Sequence, residues 1–482
     1  MKRRTALTTA LLLSSSALIS TASAAPGSWR GTIYMVAADY TPNFPGVKNQ
    51  LKVFQQIASE YEKKYPGIKI KFYEEPIPDT NTMIRVKAAA GELFDIYWAQ
   101  SYSLNSTLPK GVANDLAPYF KQPNPYIPGN KAWQDVMDKA QLAESRTPGG
   151  QIYTLSGDKV AYTIFYNKDL FKKAGITKVP TTWPELIAAS KKLSAAGIYP
   201  MHAVPAYPWW SRHFLSDLYS KDYAKLAGYD GLPGQSPLDE AVAISKGILT
   251  PKDDRFMSWW PVMKQFTDTW PKDYLAADPG KNYDAFQDFV GQKEAMLYEG
   301  SYKVREMLDA GVRFPVGAFN FPKLSKNESK YATGANTANA YAGTGGFQYA
   351  MSTPQSNKTM REKGKTEAVI DWMRYFGTPR NLQRLTAEQG TYAPTWPGTT
   401  VKLALSNFDA GAITAQLKLP ERSIGAATAT ANLGWVDMQR IFGLYLSGNI
   451  TLDQAKQQAQ TVLDRAAQDY ARKNKIDLSK YK

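Results

Sequence analysis

The alternation of strand-like and helix-like segments between residues 32 and 99 constrains the fold more than any other feature. In the helical segments apolar residues recur every three or four positions, whereas the strand-like runs are continuous or alternate. Strand, helix, strand, helix and strand with short turns are typical of a parallel α/β sheet with right-handed crossovers. The predicted segments are strand 32–37, helix 47–65, strand 68–73, helix 80–90 and strand 94–99.

Polar and aromatic residues follow the ends of two of these strands. Asp39 and Tyr40 come after the first strand, and Trp98 and Gln100 end the third. In open α/β sheets, ligands bind in the crevice beyond the carboxyl ends of the strands. Tyr and Trp suit such a place because a large apolar ring carries a polar group. The alternative is that Trp98 is a core residue capping the sheet, and this stretch alone does not decide.

A second α/β segment follows. Residues 159–166 are predicted to form a strand, and 167–175 a short helix that a glycine ends. Thr182 and Glu185 have the spacing of a capping box, so another helix should begin there and run to residue 196 or so. A chain of 482 residues is expected to form more than one domain. No low-complexity linker or repeat occurs, so several short crossings should join the domains.

Residues 1–24 have the three parts of a secretory signal peptide. Basic residues at 2–4 precede a short apolar core at 10–19, and Ala22-Ser23-Ala24 supplies the small-residue cleavage pattern. No later stretch reaches the roughly 20 apolar residues that a membrane-spanning helix needs. The sequence contains no cysteine, which excludes disulfides and a lipidated cysteine anchor. We therefore expect a freely soluble periplasmic protein that is not lipid-anchored.

Charge and residue counts exclude several kinds of partner. The net charge is +15, but lysines and acids are interspersed rather than clustered in a basic stripe, so no nucleic-acid partner is expected. His202 and His213 are the only histidines, which rules out a His-rich metal site. We expect no metal and no cofactor.

The motifs of enzyme catalysis are missing from the sequence. It lacks the nucleophile elbow, the zinc-protease motif and the phosphate-binding loop. Adjacent acids such as Glu74 and Glu75 diverge in a strand and are poorly placed to act as a catalytic pair. Gly343-Thr344-Gly345-Gly346 lacks the third glycine of the dinucleotide pattern and fits a hinge turn better. No catalytic residue is therefore assigned.

Several motifs in a fixed order resemble the extracellular solute-binding proteins of ABC importers, in the sugar-binding family that includes maltose-binding protein. The ordered set covers nearly the whole chain beyond residue 24, although each motif is weak by itself. The motifs are FDIYWA at 94–99, DLAPYF at 115–120, YNKDLFKKAGITKVPTTWPEL at 166–186, FVGQKEAMLYEGSY at 289–302, AGTGGFQYAMS at 342–352, AVIDWMRYFGTPRNLQRL at 368–385 and LYLSGNITLDQAKQQAQ at 444–460.

This resemblance implies an α/β, two-lobed periplasmic-binding-protein fold with a ligand cleft between lobes joined by three hinge crossings. The crossings are expected near 158–161, 343–346 and 401–406. The first lobe would combine 25–159 with 345–403, and the second 160–344 with 404–482.

The resemblance also implies ligand-binding residues. The family's acidic ligand residue just before YNKDL is replaced by Val160, which argues against maltose itself but not against carbohydrate. An aromatic ring covers the C–H face of a sugar, while polar side chains bond its hydroxyls. The implied ligand-binding residues are Asp39, Tyr40, Trp98, Gln100, Tyr207, Trp209, Trp210, Tyr302 and Trp435.

The implied function is that of a monomeric periplasmic protein that captures a carbohydrate and delivers it to a membrane permease. The expected carbohydrate is an oligosaccharide. Two alternatives stay open. An exported enzyme acting on polysaccharide would also be rich in aromatic residues. A protein of the same fold could instead bind a non-sugar solute such as a polyamine or a glycerophosphodiester, and the net charge does not decide between them.

Overall fold

The computed structural model describes residues 28–106, 108–147, 149–202, 207–229, 235–271, 284–334, 340–341, 345–400 and 435–481. The predicted signal peptide, residues 343 and 344, and the predicted crossing at 401–406 lie outside the described residues. The lobe borders given above stay a prediction.

The described residues form strands that belong to two sheets. In chain order the strands are β1 (Gly31–Val36), β2 (Ile68–Phe72), β3 (Ile96–Trp98), β4 (Leu155–Ser156), β5 (Asp158–Asn167), β6 (Met296–Gly300), β7 (Val316–Phe319), β8 (Ala340–Tyr341), β9 (Gln348–Met351) and β10 (Ala393–Pro394). The first sheet has the order β2-β1-β3-β9-β4. The second has the order β10-β5-β6, and β7 and β8 also pair with β5.

The helices surround these sheets. They are α1 (Val53–Lys64), α2 (Thr80–Ala90), α3 (Ser101–Ser106), α4 (Ala117–Phe120), α5 (Lys139–Glu144), α6 (Lys168–Lys173), α7 (Trp183–Ala195), α8 (Tyr207–Leu218), α9 (Pro237–Ser245), α10 (Asp254–Met257), α11 (Trp259–Thr267), α12 (Ala285–Val290), α13 (Lys303–Asp309), α14 (Lys365–Phe376), α15 (Pro379–Gln389), α16 (Trp435–Leu446) and α17 (Leu452–Asn474). Short 3-10 helices occur at Ala38–Tyr40, Trp133–Val136, Ser220–Lys225, Lys358–Arg361 and Leu478–Tyr481.

The predicted order of strands and helices at the start of the chain is confirmed. β1 pairs in parallel with both β2 and β3, and α1 and α2 connect them. The capping box of α7 is also present, because Thr182 accepts a hydrogen bond from the Glu185 backbone and Glu185 accepts one from that of Thr182. No helix in the described ranges combines the length and the apolar character that crossing a membrane would require.

The first helix starts later than predicted, at Val53 rather than at residue 47. The side-chain amide of Gln50 donates to the backbone oxygens of Phe44 and Val47, which holds the preceding segment in a loop. The Glu388 carboxylate accepts from the backbone N–H groups of Lys52 and Val53, at 2.8 and 2.9 Å. A helix begins with unpaired N–H groups, so a carboxylate supplied from α15 fixes where α1 starts.

A buried ion pair ties α14 to the first sheet. Asp95, just before β3, is 1% exposed, and its Oδ1 lies 3.0 Å from Lys365 Nζ at the start of α14. The same carboxylate accepts from the Tyr34 backbone N–H and the Asn357 side-chain amide, at 2.9 Å each. Buried charges are tolerated when they are paired and hydrogen-bonded in this way.

We expect Asp95→Ala to lower the free energy of unfolding by about 3–5 kcal/mol, because it leaves the Lys365 ammonium buried without its partner. Chemical denaturation of the purified protein measures this. The matched control is Lys178→Ala, which breaks the exposed 2.8 Å pair with Glu185 and should cost less than about 1 kcal/mol. Equal effects of the two substitutions would contradict this view of the Asp95–Lys365 pair.

Candidate functional site

The carboxyl ends of β1 and β3 form one wall of a cleft. Asp39 lies in the 3-10 turn directly after β1, and its accessible surface faces the cavity. Trp98 is the last residue of β3 and is half-buried, and its indole N–H donates to the Gly345 backbone oxygen at 3.4 Å. Both side chains therefore stand at the edge of the sheet where the sequence predicts ligand binding.

Tyr302 faces this wall from the start of α13. It is half-buried, and its hydroxyl donates to Glu299 Oε2 at 2.6 Å. Burial raises the pKa of the Glu299 carboxyl, and the hydrogen bond from Tyr302 opposes this effect. The acid thus holds the Tyr302 ring in a fixed orientation beside the cleft.

A cavity of about 390 Å³ lies between these groups. This volume falls within the range of small-molecule sites, roughly 300–1,000 Å³. Most of its lining comes from the ends of β1 and β3 and the segments after β1 and β2 on one side, and from α13 on the other. The lining residues are Val36, Ala38, Asp39, Thr41, Phe44, Val47, Gln50, Leu51, Tyr73, Glu75, Ile77, Thr80, Trp98, Tyr302, Arg305, Glu306, Asp309 and Gln389.

The surroundings of Asp39 in the cavity lining shift the pKa of its carboxyl. The surrounding protein removes bulk water and raises the pKa of its carboxyl, while a hydrogen bond from the Tyr392 hydroxyl and the positive charge of Lys303 lower it. Tyr392 precedes β10 and is itself buried. A carboxylate in this position can accept hydrogen bonds from the hydroxyl or ammonium groups of a ligand.

The rim of the cavity is bridged by direct contacts. The Asn49 side-chain amide donates to Asp309 Oδ1 at 2.9 Å, and the Arg305 guanidinium donates to the Asn49 backbone oxygen. Asn49 belongs to the loop between β1 and α1, and the other two residues belong to α13. The structure therefore shows the two walls closed over the cavity.

A buried carboxylate lies behind the cavity, where β5 begins. Asp158 is fully buried and accepts from the Tyr40 hydroxyl at 2.5 Å and from the Phe347 backbone N–H at 2.9 Å. A Cβ atom on Gly345 would lie 1.9 Å from Asp158 Oδ1, so this position needs glycine. Burial raises the pKa of Asp158 to about 7, although both hydrogen bonds lower it.

Three of the predicted ligand residues come together at the cavity, namely Asp39, Trp98 and Tyr302. Gln100 is half-buried at the start of α3, and its backbone oxygen accepts from Ser103 and Leu104. It does not line this cavity, so its role stays a prediction. The side chains of Trp209 and Trp435 lie outside the described part of the structure.

Three other predicted ligand residues are buried in the structure and do not line this cavity, so their binding role stays a prediction. Tyr40 is 1% exposed because its hydroxyl is committed to Asp158. Tyr207, also 1% exposed, packs its ring 5.2 Å from Phe442, and Trp210, fully buried, packs 4.5 Å from Tyr298. In this structure these rings belong to the hydrophobic core of the region around α8, α11 and α16.

Sequence reasoning missed Tyr73, Glu75 and the acids and arginine of α13. Tyr73 and Glu75 follow β2 as Asp39 follows β1, so the same strand-end argument applied to the second strand would have found them. Nothing local marks Tyr392, which contacts Asp39 across 353 positions of sequence. In the described ranges no group of three or more metal-ligating side chains is placed to hold a metal ion.

Two α/β sheets with a ligand-sized cavity between their lobes define a two-lobed binding protein. The profile of the family described as "Bacterial extracellular solute-binding protein" matches residues 46–381. The chain belongs to this family, whose standard function is to bind a solute for ABC import. The resemblance stated from the sequence is therefore confirmed.

Known proteins similar to this chain include both sequence relatives and solved structures. The "Multiple sugar-binding protein" of Streptococcus mutans is 22% identical over 338 residues, which cover 68% of this chain and 69% of that protein. The "sn-glycerol-3-phosphate-binding periplasmic protein UgpB" of Brucella abortus is 24% identical over 193 residues, covering 37% of this chain and 40% of that protein.

Two solved structures resemble the whole fold. One is RafE in complex with raffinose, with a TM-score of 0.59, 17% identity and coverage of 91% of this chain and 100% of that chain. The other is a "Chitin oligosaccharide binding protein", with a TM-score of 0.62, 19% identity and coverage of 91% and 99%. At these identities the likeness shows the fold, and the two-lobed architecture is confirmed.

Asp158 gives a pH signature that can be measured. Its folded-state pKa of about 7 lies above the value of about 3.9 expected in the unfolded chain. The folded state therefore binds the proton more strongly, and stability falls as the pH rises from about 4 to 7. We expect the stability of the wild type relative to Asp158→Asn to fall over this interval and then level off.

Tyr40→Phe provides the complementary variant. It removes a hydrogen bond that lowers the pKa of Asp158. The upper end of the pH interval over which stability is lost should therefore move to higher pH. Thermal unfolding from pH 4 to 9 measures both effects. Parallel curves for the wild type and Asp158→Asn would contradict the assignment of the titration to this carboxyl.

Proposed function

We propose that this solute-binding protein captures a carbohydrate between its two lobes and delivers it to the membrane permease of an ABC importer. The observation that carries the proposal is the pair of aromatic rings from opposite walls, Trp98 and Tyr302, that line one cavity together with Asp39. A pyranose presents C–H patches on its faces and hydroxyls around its rim. Rings on both walls and a carboxylate on one of them suit that shape.

The relatives support the same class of ligand. The names of the Streptococcus mutans relative and of the two solved structures refer to sugars, raffinose and chitin oligosaccharide. The Brucella abortus relative is named for sn-glycerol 3-phosphate, so a non-sugar solute is the main alternative. Family members bind solutes, and we propose that this chain likewise does so without turnover.

The finer features belong to the same proposal. The lobes would combine 25–159 with 345–403 and 160–344 with 404–482, and the protein would act as a monomer in the periplasm. The absence of cysteine from the sequence supports a protein that is not lipid-anchored. The position of α16 and α17 beside α8, α9 and α11 supports placing the C-terminal segment in the second lobe.

Trp98 and Trp210 make a matched pair for testing the site. Trp98→Ala should weaken sugar binding by about 2 kcal/mol or more, a factor of roughly 30, because it removes an aromatic anchor. Its melting temperature without ligand should change little. Trp210→Ala should instead cost about 3–5 kcal/mol of folding stability through the cavity it leaves, with normal affinity in the folded fraction.

Calorimetric titration with oligosaccharides and thermal unfolding without ligand measure the two effects. A large loss of stability in Trp98→Ala with intact affinity would show that Trp98 is a core residue. Chromatography of the same oligosaccharides after incubation tests for turnover, and products would indicate the enzyme alternative.

We expect ligand to shift the lobes toward the closed arrangement. A ligand that touches both walls favours the closed state by its differential affinity for the two states. Small-angle scattering should show a smaller radius of gyration at saturating ligand, and Trp98→Ala, which binds weakly, should show little change at the same concentration. Confirmed binding with an unchanged radius would argue against closure.

A further inference from the structure

The charge of the cavity is opposite in sign to that of the whole protein. The chain carries a net charge of +15. The cavity nevertheless has four acids in its lining, Asp39, Glu75, Glu306 and Asp309, against one base, Arg305. The lining therefore favours a ligand that brings positive charge and opposes one that brings negative charge.

The charges on the α13 wall are already engaged with one another. Glu306 Oε2 lies 2.7 Å from Lys303 Nζ, and Arg305 Nε lies 3.5 Å from Asp309 Oδ2. Arg305 also donates to the Asn49 backbone oxygen at the rim. Guanidinium and ammonium groups directed at the ligand are the charged side-chain donors that recognise phosphate or carboxylate. The one arginine of the lining is committed elsewhere.

In the part of the chain that the structure describes, hydroxyl groups donate to the side chains of the two acids on the opposite wall, and the charge of Lys303 also acts on Asp39. Asp39 accepts from the Tyr392 hydroxyl, and Glu75 Oε2 accepts from the Tyr73 hydroxyl at 2.7 Å. Among the described residues neither acid forms an ion pair within 4.0 Å. They follow β1 and β2, which are adjacent and parallel, so both acids lie at the same edge of the sheet.

Aromatic rings complete the same wall. Tyr73 and Trp98 line the cavity beside the two acids, and Tyr302 faces them. The face of an aromatic ring attracts a cation, most strongly in Trp. Carboxylates with vacant acceptor positions and aromatic faces around one cavity are the combination that recognises an ammonium group.

We propose that the ligand carries a protonated amine that binds between Asp39, Glu75 and the neighbouring rings. This deepens the proposed function and rests on it, because an amino sugar joins the ammonium group to the pyranose that the rings would hold. A polyamine shares the ammonium chemistry without the sugar. Anionic solutes such as glycerol 3-phosphate are disfavoured by the same acids.

The experiment compares ligands that differ in charge on one skeleton. Thermal shift and calorimetry of the protein use the β-1,4-linked glucosamine disaccharide and cellobiose, which has hydroxyls where the former has amines. Spermidine and glycerol 3-phosphate complete the set. We expect the glucosamine disaccharide to bind at least about tenfold more tightly than cellobiose, as one charge-assisted hydrogen bond allows.

Each outcome separates this inference from the carbohydrate proposal. Cellobiose binding as tightly as the amine disaccharide would overturn the inference and leave the carbohydrate proposal standing. Spermidine binding without any sugar binding would support the amine site and contradict the carbohydrate proposal. Binding of glycerol 3-phosphate alone, or of none of the four, would overturn both.

Glu75→Gln tests the acid directly, with Glu74→Gln as its matched control. Glu74 is exposed like its neighbour Glu75 but does not line the cavity. Glu75→Gln keeps the shape and an acceptor for Tyr73 but removes the charge. It should weaken binding of the amine ligand about tenfold more than it weakens binding of cellobiose, while Glu74→Gln should change neither. Equal behaviour of the two variants would overturn the proposed role of Glu75.

Discussion

The arrangement of the two sheets depends on the hydrogen bonds that the buried Asp158 carboxyl accepts. This carboxyl stands where the chain leaves β4 of the first sheet and begins β5 of the second. Its oxygens accept from Tyr40, which follows β1, and from Phe347, which precedes β9. One side chain thus joins three passages of the chain. Burying a charged carboxyl costs free energy unless it is hydrogen-bonded. The donors Tyr40 and Phe347 therefore offset part of that cost and fix the position of the Asp158 side chain.

The same contacts connect this junction to the cavity. The Tyr40 ring packs 5.9 Å from the ring of Tyr392, whose hydroxyl bonds Asp39. Asp39 and Tyr40 are adjacent, so one side chain points into the cavity while the next anchors the junction. A change in the position of β5 relative to β1 therefore moves the groups that hold Asp39. Hydrogen bonds and ring packing together therefore connect Asp39 in the cavity lining to Asp158 at the start of β5.

The parts of this structure that the sequence predicts are those with a local physical cause. The parallel strands follow from apolar periodicity, and Asp39 and Trp98 follow from the rule that ligands bind at strand ends. Tyr207 and Trp210 show the limit of such reasoning, because an aromatic cluster has the same pattern in a core and in a site. Only packing against distant residues such as Phe442 separates the two. Tyr392 could not be predicted either, because its role depends on a contact with Asp39 that is distant in sequence.

The closed arrangement raises the question of what holds the lobes together. Described rim contacts such as that of Asn49 with Asp309 are exposed, and exposed polar pairs contribute about 0–1 kcal/mol each. Moving an equilibrium from mostly open to mostly closed requires about 5.5 kcal/mol of differential affinity. A few rim contacts fall short of that, so they can align the closed lobes without trapping them. The larger share must come from the ligand, through groups on both walls that are complete only when the lobes meet. Asp39 and Trp98 on one wall of the cavity and Tyr302 on the other are the groups placed to supply it.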